Sequence, residues 1–497
     1  MAEPLILALD QGTTGSTAVA VGTDGVVRGK GYREIRQHYP RPGWVEHDPA
    51  EIWESVKAAA ADALKAAEAG PREVAAIGIT NQRETLVLWD RATLRPLGRA
   101  IVWQDRRTAA ECDRLKGEGH EARIRELTGL VVDPYFTGTK LGWALRHLEG
   151  AAGAAAGTVD SWLVANLTAG REHVTDASNA SRTLLFDISR GEWSAELAGL
   201  LGVPLEVLPE VRPSSGEVAR SDPDAFLGIA APIAGIAGDQ QAALFGQACL
   251  EPGMAKNTYG TGSFVLVQTG ERRVASQSGL LTTVAWLREG RLSYALEGAI
   301  FITGAALQWL RDGLGIIGQA AEAGPLAESV ESTGGVYLVP AFAGLGAPWW
   351  DPYARGVLVG LTRGTGRAEV VRAAVEAMAY QTADVVAAMA EDAQRPLLEL
   401  RVDGGASVMD FLCQFQADLL GIPVRRPQQT ETTALGAAFL AGLGAGVWDS
   451  DAALERVWRL DREFEPRLSR DQAAGLQAGW RRAVERSLRW ATGDDNQ

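Results

Sequence analysis

The sequence is poor in cysteine and has no excess of basic residues. Its three cysteines, Cys112, Cys249 and Cys413, lie far apart and form no C-x-x-C pair, so neither a disulfide framework nor a zinc site is indicated. The formal net charge is -14. Because binding to nucleic acid relies on clustered Lys and Arg, this charge argues against a nucleic-acid partner.

Long, uninterrupted apolar runs are also missing. The charge-free segments 334–350 and 432–448 are broken by glycine or proline, and we interpret both as core rather than membrane spans. The N-terminal residues Met1–Pro4 include no basic residue, and the apolar run that follows ends at Asp10, which does not support a signal peptide. We therefore expect a cytoplasmic protein without membrane insertion.

No P-loop is present, because no lysine stands in a G-x-x-x-x-G-K-[ST] motif. The lysines are Lys30, Lys57, Lys65, Lys116, Lys140 and Lys256. The segment Gly313–Gly318 matches G-x-G-x-x-G, but Leu307–Arg311 before it has a helical rather than a strand pattern. We interpret this match as chance.

The length and composition indicate a globular protein of two domains. A chain of 497 residues exceeds what one hydrophobic core usually covers, and its 46% hydrophobic and 22% charged residues are ordinary for a folded protein. A cleft between the domains is expected. We place the boundary between residues 248 and 249, which gives domains 1–248 and 249–497.

Two similar glycine turns recur along the chain. The apolar run Leu5–Asp10 leads into Gly12–Gly15 and out through Ala18–Val21, which predicts a β-hairpin. The segment Thr258–Ser263, followed by Phe264–Val267, repeats this plan in the second half of the chain. Each predicted domain therefore carries one such turn.

Further signals indicate an α/β fold. A helix is predicted to begin at Asp48, which is the predicted N-cap and is followed by proline at the first helical position and by Glu51 as a capping-box carboxylate. Apolar residues at helical spacing continue as far as Gly70. Val74–Ile79 then has the pattern of a buried strand. A third glycine turn, Val402–Ala406, lies between a predicted strand and a helix from Met409.

Glycine and threonine in tight turns suit phosphate, because bare backbone N–H groups can converge on an anion and hydroxyls add donors. Asp10, just before the first turn, is a candidate Mg²⁺ ligand, since Mg²⁺ commonly takes one or two carboxylates together with phosphate oxygens and water. A single turn of this kind is more often an ordinary hairpin. Two matching turns with Asp403-Gly404-Gly405 favour a nucleotide.

Polar groups also follow two predicted strands. Asn81–Glu84 comes after Val74–Ile79, and Gly238–Gln241 comes after Ile233–Ala237. Ligands of α/β sheets bind at the carboxyl ends of strands. Each segment alone could equally be a solvated turn or a helix start, and an isolated aromatic such as Trp103 or Tyr135 is more often core than pocket wall.

The chain resembles the FGGY carbohydrate kinase family, and within it the glycerol kinases, over nearly its whole length. The stretches that carry the resemblance are Leu9–Thr14, Pro42–Pro49 (PGWVEHDP), Ile77–Thr85 (IGITNQRET), Asp133–Lys140 (DPYFTGTK), Gly235–Gly246 (GIAGDQQAALFG), Met254–Gly262 (MAKNTYGTG) and Ala341–Gly356. The resemblance implies two α/β domains of the actin-like ATPase (ribonuclease H-like) kind around a deep cleft. It also implies ATP-dependent phosphorylation of glycerol to sn-glycerol 3-phosphate with Mg²⁺, and we expect a homo-oligomer, either a dimer or a tetramer.

Roles for individual residues follow from the same resemblance. Asp239 is the implied general base. The implied polyol-binding residues are Arg83, Glu84, Trp103, Tyr135, Asp239, Gln240 and Phe264. The implied nucleotide contacts are Thr13, Thr14, Thr261, Gly304, Gln308 and Gly405, and Asp10 is the implied metal-positioning residue.

The chain departs from the family pattern at several places. Thr17 stands near the position where many relatives carry an arginine, so we expect one nucleotide contact to be missing or replaced. Val408-Met409-Asp410 replaces a stretch that usually contains an asparagine, so we expect the adenine contacts and the nucleotide preference to differ. Residues 227–232 lack the glycine- and arginine-bearing loop through which some relatives bind fructose 1,6-bisphosphate. None of the five histidines lies where some relatives are phosphorylated. We expect regulation by fructose 1,6-bisphosphate to be absent or altered, and activation by histidine phosphorylation to be absent.

Three other functions stay open on the sequence alone. The first is a kinase for a pentulose, a sugar acid or another polyol. The second is a nucleotide-binding scaffold without transferase activity, against which the presence of both Asp10 and Asp239 argues. The third, an NAD-linked oxidoreductase, rests only on Gly313–Gly318.

Overall fold

The computed structural model describes residues 3–151 and 153–491. The strands of the first half are β1 Leu5–Gln11, β2 Gly15–Gly22, β3 Val27–Glu34, β4 Glu46–His47, β5 Val74–Asn81, β6 Val87–Trp89, β7 Ala100–Ile101, β8 Ala155–Gly157, β9 Val174–Asp176, β10 Phe186–Asp187, β11 Glu192–Trp193, β12 Glu210–Arg212, β13 Ser215–Arg220 and β14 Pro232–Gly238. Those of the second half are β15 Met254–Tyr259, β16 Ser263–Gly270, β17 Leu281–Arg288, β18 Arg291–Ile300, β19 Tyr337–Val339, β20 Val357–Val359, β21 Glu399–Asp403, β22 Val424–Pro427 and β23 Leu460–Phe464.

Helices cover and connect these strands. They are α1 Pro49–Ala66, α2 Ala109–Gly117, α3 Glu121–Thr128, α4 Thr137–His147, α5 Val159–Leu167, α6 Ala177–Ala180, α7 Ala195–Leu201, α8 Asp239–Gly246, α9 Gly304–Gln308, α10 Ala323–Glu328, α11 Arg367–Ala393, α12 Asp410–Leu420, α13 Thr432–Gly444, α14 Asp451–Val457 and α15 Arg470–Ser487. A π-helical turn, Trp309–Gly313, extends α9. Within the described ranges, no helix is both long and apolar enough to cross a membrane.

The two halves contain sheets of the same design. The first has the order β13-β14-β5-β1-β2-β3, and the second has the order β17-β18-β16-β15-β21-β22-β23. In each, a hairpin (β1–β2 or β15–β16) is extended by an antiparallel strand on one side and two parallel strands on the other. This duplication confirms the fold class expected from the sequence.

Strand β1 is apolar at successive positions because both of its faces are buried. Leu7 and Leu9 contribute to the core beneath the first sheet, whereas Ile6 and Ala8 face a second core. Successive side chains of a strand point to opposite faces of the sheet. A strand with one face in water alternates between polar and apolar residues, whereas a strand buried on both faces is apolar at every position. The run Leu5–Leu9 is therefore explained by helices on both sides of the sheet.

The second of these cores lies between the halves of the molecule and is built on α8 and α13. It combines residues of both sheets with Leu244 and Phe245 of α8 and Phe439 of α13. The two helices approach so closely that a Cβ on Gly436 would lie 1.8 Å from the carbonyl oxygen of Ala242. Helix α13, which includes most of the charge-free segment 432–448, is thus core, as predicted.

The start of α1 only partly matches the prediction. Asp48 is the N-cap, and its carboxylate accepts hydrogen bonds from the backbone N–H groups of Ala50 and Glu51. The predicted capping box is wrong. The Glu51 carboxylate instead accepts a hydrogen bond from the Arg36 N–H at 2.8 Å, which ties the chain after β3 to the helix.

Candidate active site

The site forms where two parallel strands of the first sheet end. Strands β5 and β14 are neighbours, and Gly238 at the end of β14 is in register with Asn81 at the end of β5. Arg83 and Asp239 follow these ends directly, and Arg83 Nε lies 3.0 Å from Asp239 Oδ1. The structure therefore brings together the two polar segments that the sequence singled out.

The Asp239 carboxylate is held through one oxygen only. Its Oδ1 accepts a hydrogen bond from the backbone N–H of Gln240 at 2.7 Å, since Asp239 begins α8, and it forms an ion pair with Arg83 Nε at 3.0 Å. Among the described residues, Oδ2 has no partner, and the side chain is 30% exposed. One oxygen is thus fixed in place while the other is free to accept a proton.

Behind Asp239 lies a buried network of four charged side chains. Arg83 Nη1 contacts Glu297 Oε2 at 2.5 Å, and Arg182 donates to Glu84 Oε1 at 2.5 Å and to Glu297 Oε1 at 3.0 Å. Each of the four side chains is at most 2% exposed. The charges balance, which is the condition under which ion pairs can be kept away from water.

The two carboxylates of this network differ in their surroundings. Burial alone would raise the pKa of Glu297, but the guanidinium groups of Arg182 and Arg83 outweigh burial and lower it to about 2. Burial raises the pKa of Glu84 against the opposing effect of the same arginines. Glu84 Oε2 has no partner among the described residues and is available to accept from a hydroxyl group.

Aromatic rings form the walls beside these charges. The rings of Trp103 and Tyr135 meet edge to face, with centroids 5.5 Å apart, and the Arg182 guanidinium lies 5.5 Å from the Tyr135 ring. Phe264, on β16 of the second sheet, lies 6.0 Å from the Arg83 guanidinium. Both halves of the chain therefore contribute aromatic side chains to the cluster around Arg83 and its ion-pair partner Asp239.

Gln240 is held by a buried lysine. The Lys256 Nζ donates to Gln240 Oε1, and also to Thr258 Oγ1 at 2.9 Å. Burial lowers the pKa of Lys256 to about 8, although the carboxylates of Asp403 and Asp239 oppose this shift. The amide carbonyl of Gln240 is thus occupied, which leaves its NH₂ group as the donor available to a ligand.

A separate cavity of about 620 Å³ lies in the second half. Four of the six predicted nucleotide contacts line it, namely Thr261, Gly304, Gln308 and Gly405. Helix α9 is fixed to the second glycine turn, because the N–H groups of Gly304 and Ala305 donate to the carbonyls of Gly260 and Thr261 at 3.0 Å. The turn and the helix therefore form one wall.

The opposite wall follows the third glycine turn. Gly404 has φ +83, and a Cβ there would lie 2.4 Å from the Tyr259 carbonyl oxygen, so this position requires glycine. Met409 and Asp410, at the departure from the family pattern, also line the cavity. The Asp410 carboxylate is paired with Arg426 at 3.0 Å, whereas Met409 presents an apolar surface against Gly324.

The first glycine turn does not line this cavity but joins the aromatic pocket. Trp103 Nε1 donates a hydrogen bond to Thr13 Oγ1 at 2.9 Å. Thr14 is exposed at the tip of the turn. Thr13 and Thr14 are therefore not among the residues that line the cavity of about 620 Å³, and Thr13 instead contacts the predicted polyol residue Trp103.

Asp10, at the end of β1, suits a divalent cation. Its carboxylate is half-buried and forms no hydrogen bond or ion pair among the described residues. Burial, reinforced by the negative charges of Asp239 and Glu431, raises the pKa of Asp10 to about 8. No group of three or more His, Cys, Asp or Glu side chains arranged for a metal occurs in the described part of the chain. One carboxylate with water and phosphate oxygens fits Mg²⁺, but not a metal that needs a full set of protein ligands.

Sequence reasoning missed several charged residues of the site. Arg182 and Glu297 complete the buried network. Lys140 donates a hydrogen bond to the backbone of Glu84, and Lys256 donates one to the side chain of Gln240. The available signals were a lone charge inside an apolar run, Glu297 within residues 294–300, and a lone charge in β15, Lys256. A charge in a buried strand needs a partner, but the sequence does not identify that partner.

Family models, curated relatives and a solved structure that are similar to this chain are all of carbohydrate kinases. Residues 5–246 match the N-terminal domain of the FGGY family of carbohydrate kinases, and residues 255–445 match its C-terminal domain. The chain is 57% identical to a glycerol kinase of Dechloromonas aromatica, covering 98% of both chains. It is 59% identical to a glycerol kinase of Trichlorobacter lovleyi, covering 98% of this chain and 99% of that protein. The crystal structure of Plasmodium falciparum glycerol kinase with ADP superimposes with a TM-score of 0.92 at 34% identity, covering 98% of both chains.

Proposed function

The chain belongs to the FGGY family of carbohydrate kinases, and from this membership we propose that it is a glycerol kinase. It transfers the γ-phosphoryl group of ATP to a primary hydroxyl of glycerol and forms sn-glycerol 3-phosphate. The observation that carries the proposal is the cluster of side chains around Asp239, where a carboxylate fixed through one oxygen lies beside free hydrogen-bonding groups of Glu84 and Gln240. Glycerol kinases are similar to this chain over nearly its full length.

On the acceptor side, Asp239 is the general base. The contacts of Oδ1 with Arg83 and the Gln240 N–H orient the carboxylate, so that Oδ2 can accept the proton of the attacking hydroxyl. Arg83, Glu84, Tyr135 and Gln240 bind the hydroxyl groups. Trp103 and Phe264 cover the carbon chain and limit the pocket to a small polyol.

On the nucleotide side, Thr261, Gly304, Gln308 and Gly405 hold ATP in the cavity of about 620 Å³. Thr13 and Thr14 bind the terminal phosphate from the opposite turn. Asp10 would help to hold Mg²⁺, and the bound ion would supply neutralisation of negative charge during phosphoryl transfer. The protein's own contribution is mainly positioning, because phosphoryl transfer requires the attacking and leaving oxygens to be in line.

The two halves of the chain match the two proposed binding sites, one for the polyol and one for the nucleotide. We place the domain boundary between residues 248 and 249, with the first phosphate turn and most of the polyol site in one domain and the second turn and adenosine site in the other. Movement of the domains about the α8–α13 contact would bring Thr13 and Thr14 toward the nucleotide and exclude water. A cytoplasmic homo-oligomer, either a dimer or a tetramer, acting in glycerol catabolism completes the proposal.

A substrate panel tests the proposed function. ATP consumption by the purified chain is coupled to a spectrophotometric readout with glycerol, erythritol, xylulose or gluconate as the acceptor. We expect the highest kcat/KM for glycerol and a strict requirement for Mg²⁺. A higher value for xylulose or gluconate would identify a different carbohydrate kinase, and nucleotide binding without turnover on any acceptor would identify a scaffold.

A further inference from the structure

Lys140 is a fully buried lysine that contacts two residues of the proposed polyol site. It lies on α4, and its Nζ donates to the backbone carbonyl of Tyr135 at 2.6 Å and to that of Glu84 at 3.2 Å. Among the described residues, its ammonium group has no carboxylate within 4 Å. Burying a cation without an ion pair is costly, so a lysine retained in this position calls for an explanation.

The backbone of Glu84 supplies that explanation. Glu84 has φ +61, a left-handed conformation that is unfavourable for a residue with a side chain. Its carbonyl accepts from Lys140 and also from Thr137 Oγ1 at 3.1 Å, so α4 supplies two donors to one strained peptide. Such conformations persist where the surroundings hold them in place, and they occur often in ligand sites.

We propose that Lys140 is a positioning residue that locks Glu84 and Tyr135 in their glycerol-binding orientation. This inference rests on the proposed function. Lys140 holds the peptide of Glu84, and thereby directs Glu84 Oε2 toward the ligand, while the same nitrogen fixes the backbone that carries the Tyr135 ring. It makes no side-chain contact with Asp239 and takes no part in proton transfer.

We call the two hydrogen bonds from Lys140 Nζ to the carbonyls of Glu84 and Tyr135 the clamp. The clamp does not require a particular charge on Lys140. Burial lowers the pKa of Lys140 to about 7, and the surrounding carboxylates of Glu84, Asp105 and Asp133 and the Cys112 thiol oppose this shift. A neutral amine retains two N–H groups, one for each carbonyl, and the ammonium form has three. The two contacts are therefore available on both sides of neutral pH.

Three variants test the clamp. Lys140→Met keeps the length of the side chain but removes both donors. Thr137→Val removes only the second donor to Glu84. Thr139→Val is the matched control, because Thr139 is buried on the same helix and its hydroxyl pairs with Thr108 rather than with the site.

The readouts are glycerol binding by calorimetry without ATP, and KM and kcat for each substrate. For Lys140→Met we expect glycerol affinity and KM to worsen at least about tenfold, because small displacements of positioning groups have large effects. The KM for ATP should change by less than about twofold, since the clamp lies outside the nucleotide cavity. Thr137→Val should weaken glycerol binding less than Lys140→Met, and Thr139→Val should match the parent.

The outcomes separate this inference from the proposed function. If the parent neither binds nor phosphorylates glycerol, the proposed function fails. If the parent binds glycerol but Lys140→Met binds it equally well, or loses affinity for ATP to the same extent, the clamp is overturned. Should Lys140→Met not fold, Thr137→Val decides, and glycerol affinity equal to that of Thr139→Val contradicts the proposal.

Discussion

The indole Nε1 of Trp103 donates a hydrogen bond to the hydroxyl oxygen of Thr13 over 2.9 Å. An indole N–H can only donate, so the Thr13 oxygen must accept, and its own hydrogen points elsewhere. Trp103 belongs to the proposed polyol pocket, and Thr13 belongs to the proposed phosphate turn. This bond links the proposed polyol pocket to the proposed phosphate turn and leaves the hydrogen of the Thr13 hydroxyl for another acceptor, which in the proposed function is a phosphate oxygen.

Replacing Trp103 with Phe is expected to raise the KM for ATP, or to lower kcat, more than it raises the KM for glycerol. Phenylalanine keeps an aromatic wall against Tyr135 but cannot orient Thr13. One hydrogen bond contributes about 0.5–1.5 kcal/mol, which corresponds to an increase of roughly 2- to 12-fold in the KM for ATP or a similar loss of kcat. Steady-state kinetics with each substrate varied in turn measures the effect.

A double-mutant cycle provides the control for that experiment. Thr13→Val removes the same bond from the other side, so the double variant should be no worse than the more damaged single variant. Fully additive losses would mean that the two side chains act independently and that the bond has no role in turnover.

Asp239→Asn is expected to abolish most turnover and to spare ATP binding. The amide has nearly the shape of the carboxylate but cannot accept the proton of the attacking hydroxyl. Because the loss of a general base typically costs about 10²- to 10⁴-fold in rate, we expect kcat to fall by about that factor. ATP affinity, followed by calorimetry, should stay within about twofold of the parent value. Asp222→Asn, at an exposed ion pair with Arg171, is a suitable control. A near-normal kcat in Asp239→Asn would refute the assigned base.

Asp10→Asn is expected to raise the Mg²⁺ concentration needed for half-maximal activity. The amide removes the negative charge of the proposed Mg²⁺ ligand but leaves the strand intact, because the backbone of Asp10 pairs with Thr17 and Thr80. Glycerol binding without ATP should be unchanged. Titrating Mg²⁺ at a fixed excess of ATP measures the shift, and identical curves for variant and parent would exclude Asp10 from the metal site.

The parts of the fold that could be predicted depend on local signals. The apolar run of β1, the glycine turn after it and the N-cap at Asp48 each involve residues close in sequence. The place of α13 could not be predicted, because a helix that is apolar all round has no stripe to indicate which element it packs against. The Glu51 capping box failed for a related reason, since a distant backbone N–H competed successfully for its carboxylate.

The same distinction applies to the site. The proximity of Arg83 and Asp239 could be predicted, because both follow the carboxyl ends of strands in an α/β fold. The buried pairs could not. Glu297 is 214 residues from Arg83, and Arg182 is 98 residues from Glu84, and nothing in the local sequence of either pair specifies its partner.

Glu297→Gln is expected to destabilise the protein and to weaken glycerol binding. It removes the negative charge that balances Arg83 and Arg182, and breaking a buried ion pair typically costs about 3–5 kcal/mol. Arg83 should then shift from its contact with Asp239, so the KM for glycerol should rise together with a fall in Tm. Glu463→Gln, which removes a more exposed partner of Arg425, should leave the KM for glycerol unchanged. A stable Glu297→Gln variant with normal KM would show that the network does not position Arg83.

The buried amine of Lys140 predicts a specific dependence of stability on pH. Because burial lowers its pKa from 10.5 to about 7, the unfolded chain binds one more proton than the folded chain between these two values. This group therefore makes the folded state more stable as pH rises through that window, by up to about 1.4 kcal/mol per pH unit. Below about pH 7 both states hold the proton, and above about pH 10.5 neither does, so the contribution is constant outside the window. Lys140→Met removes this contribution, and the Tm of the parent minus that of the variant should accordingly increase between pH 7 and pH 10. A difference that stays flat across this range would mean that Lys140 titrates in the folded protein as it does in water.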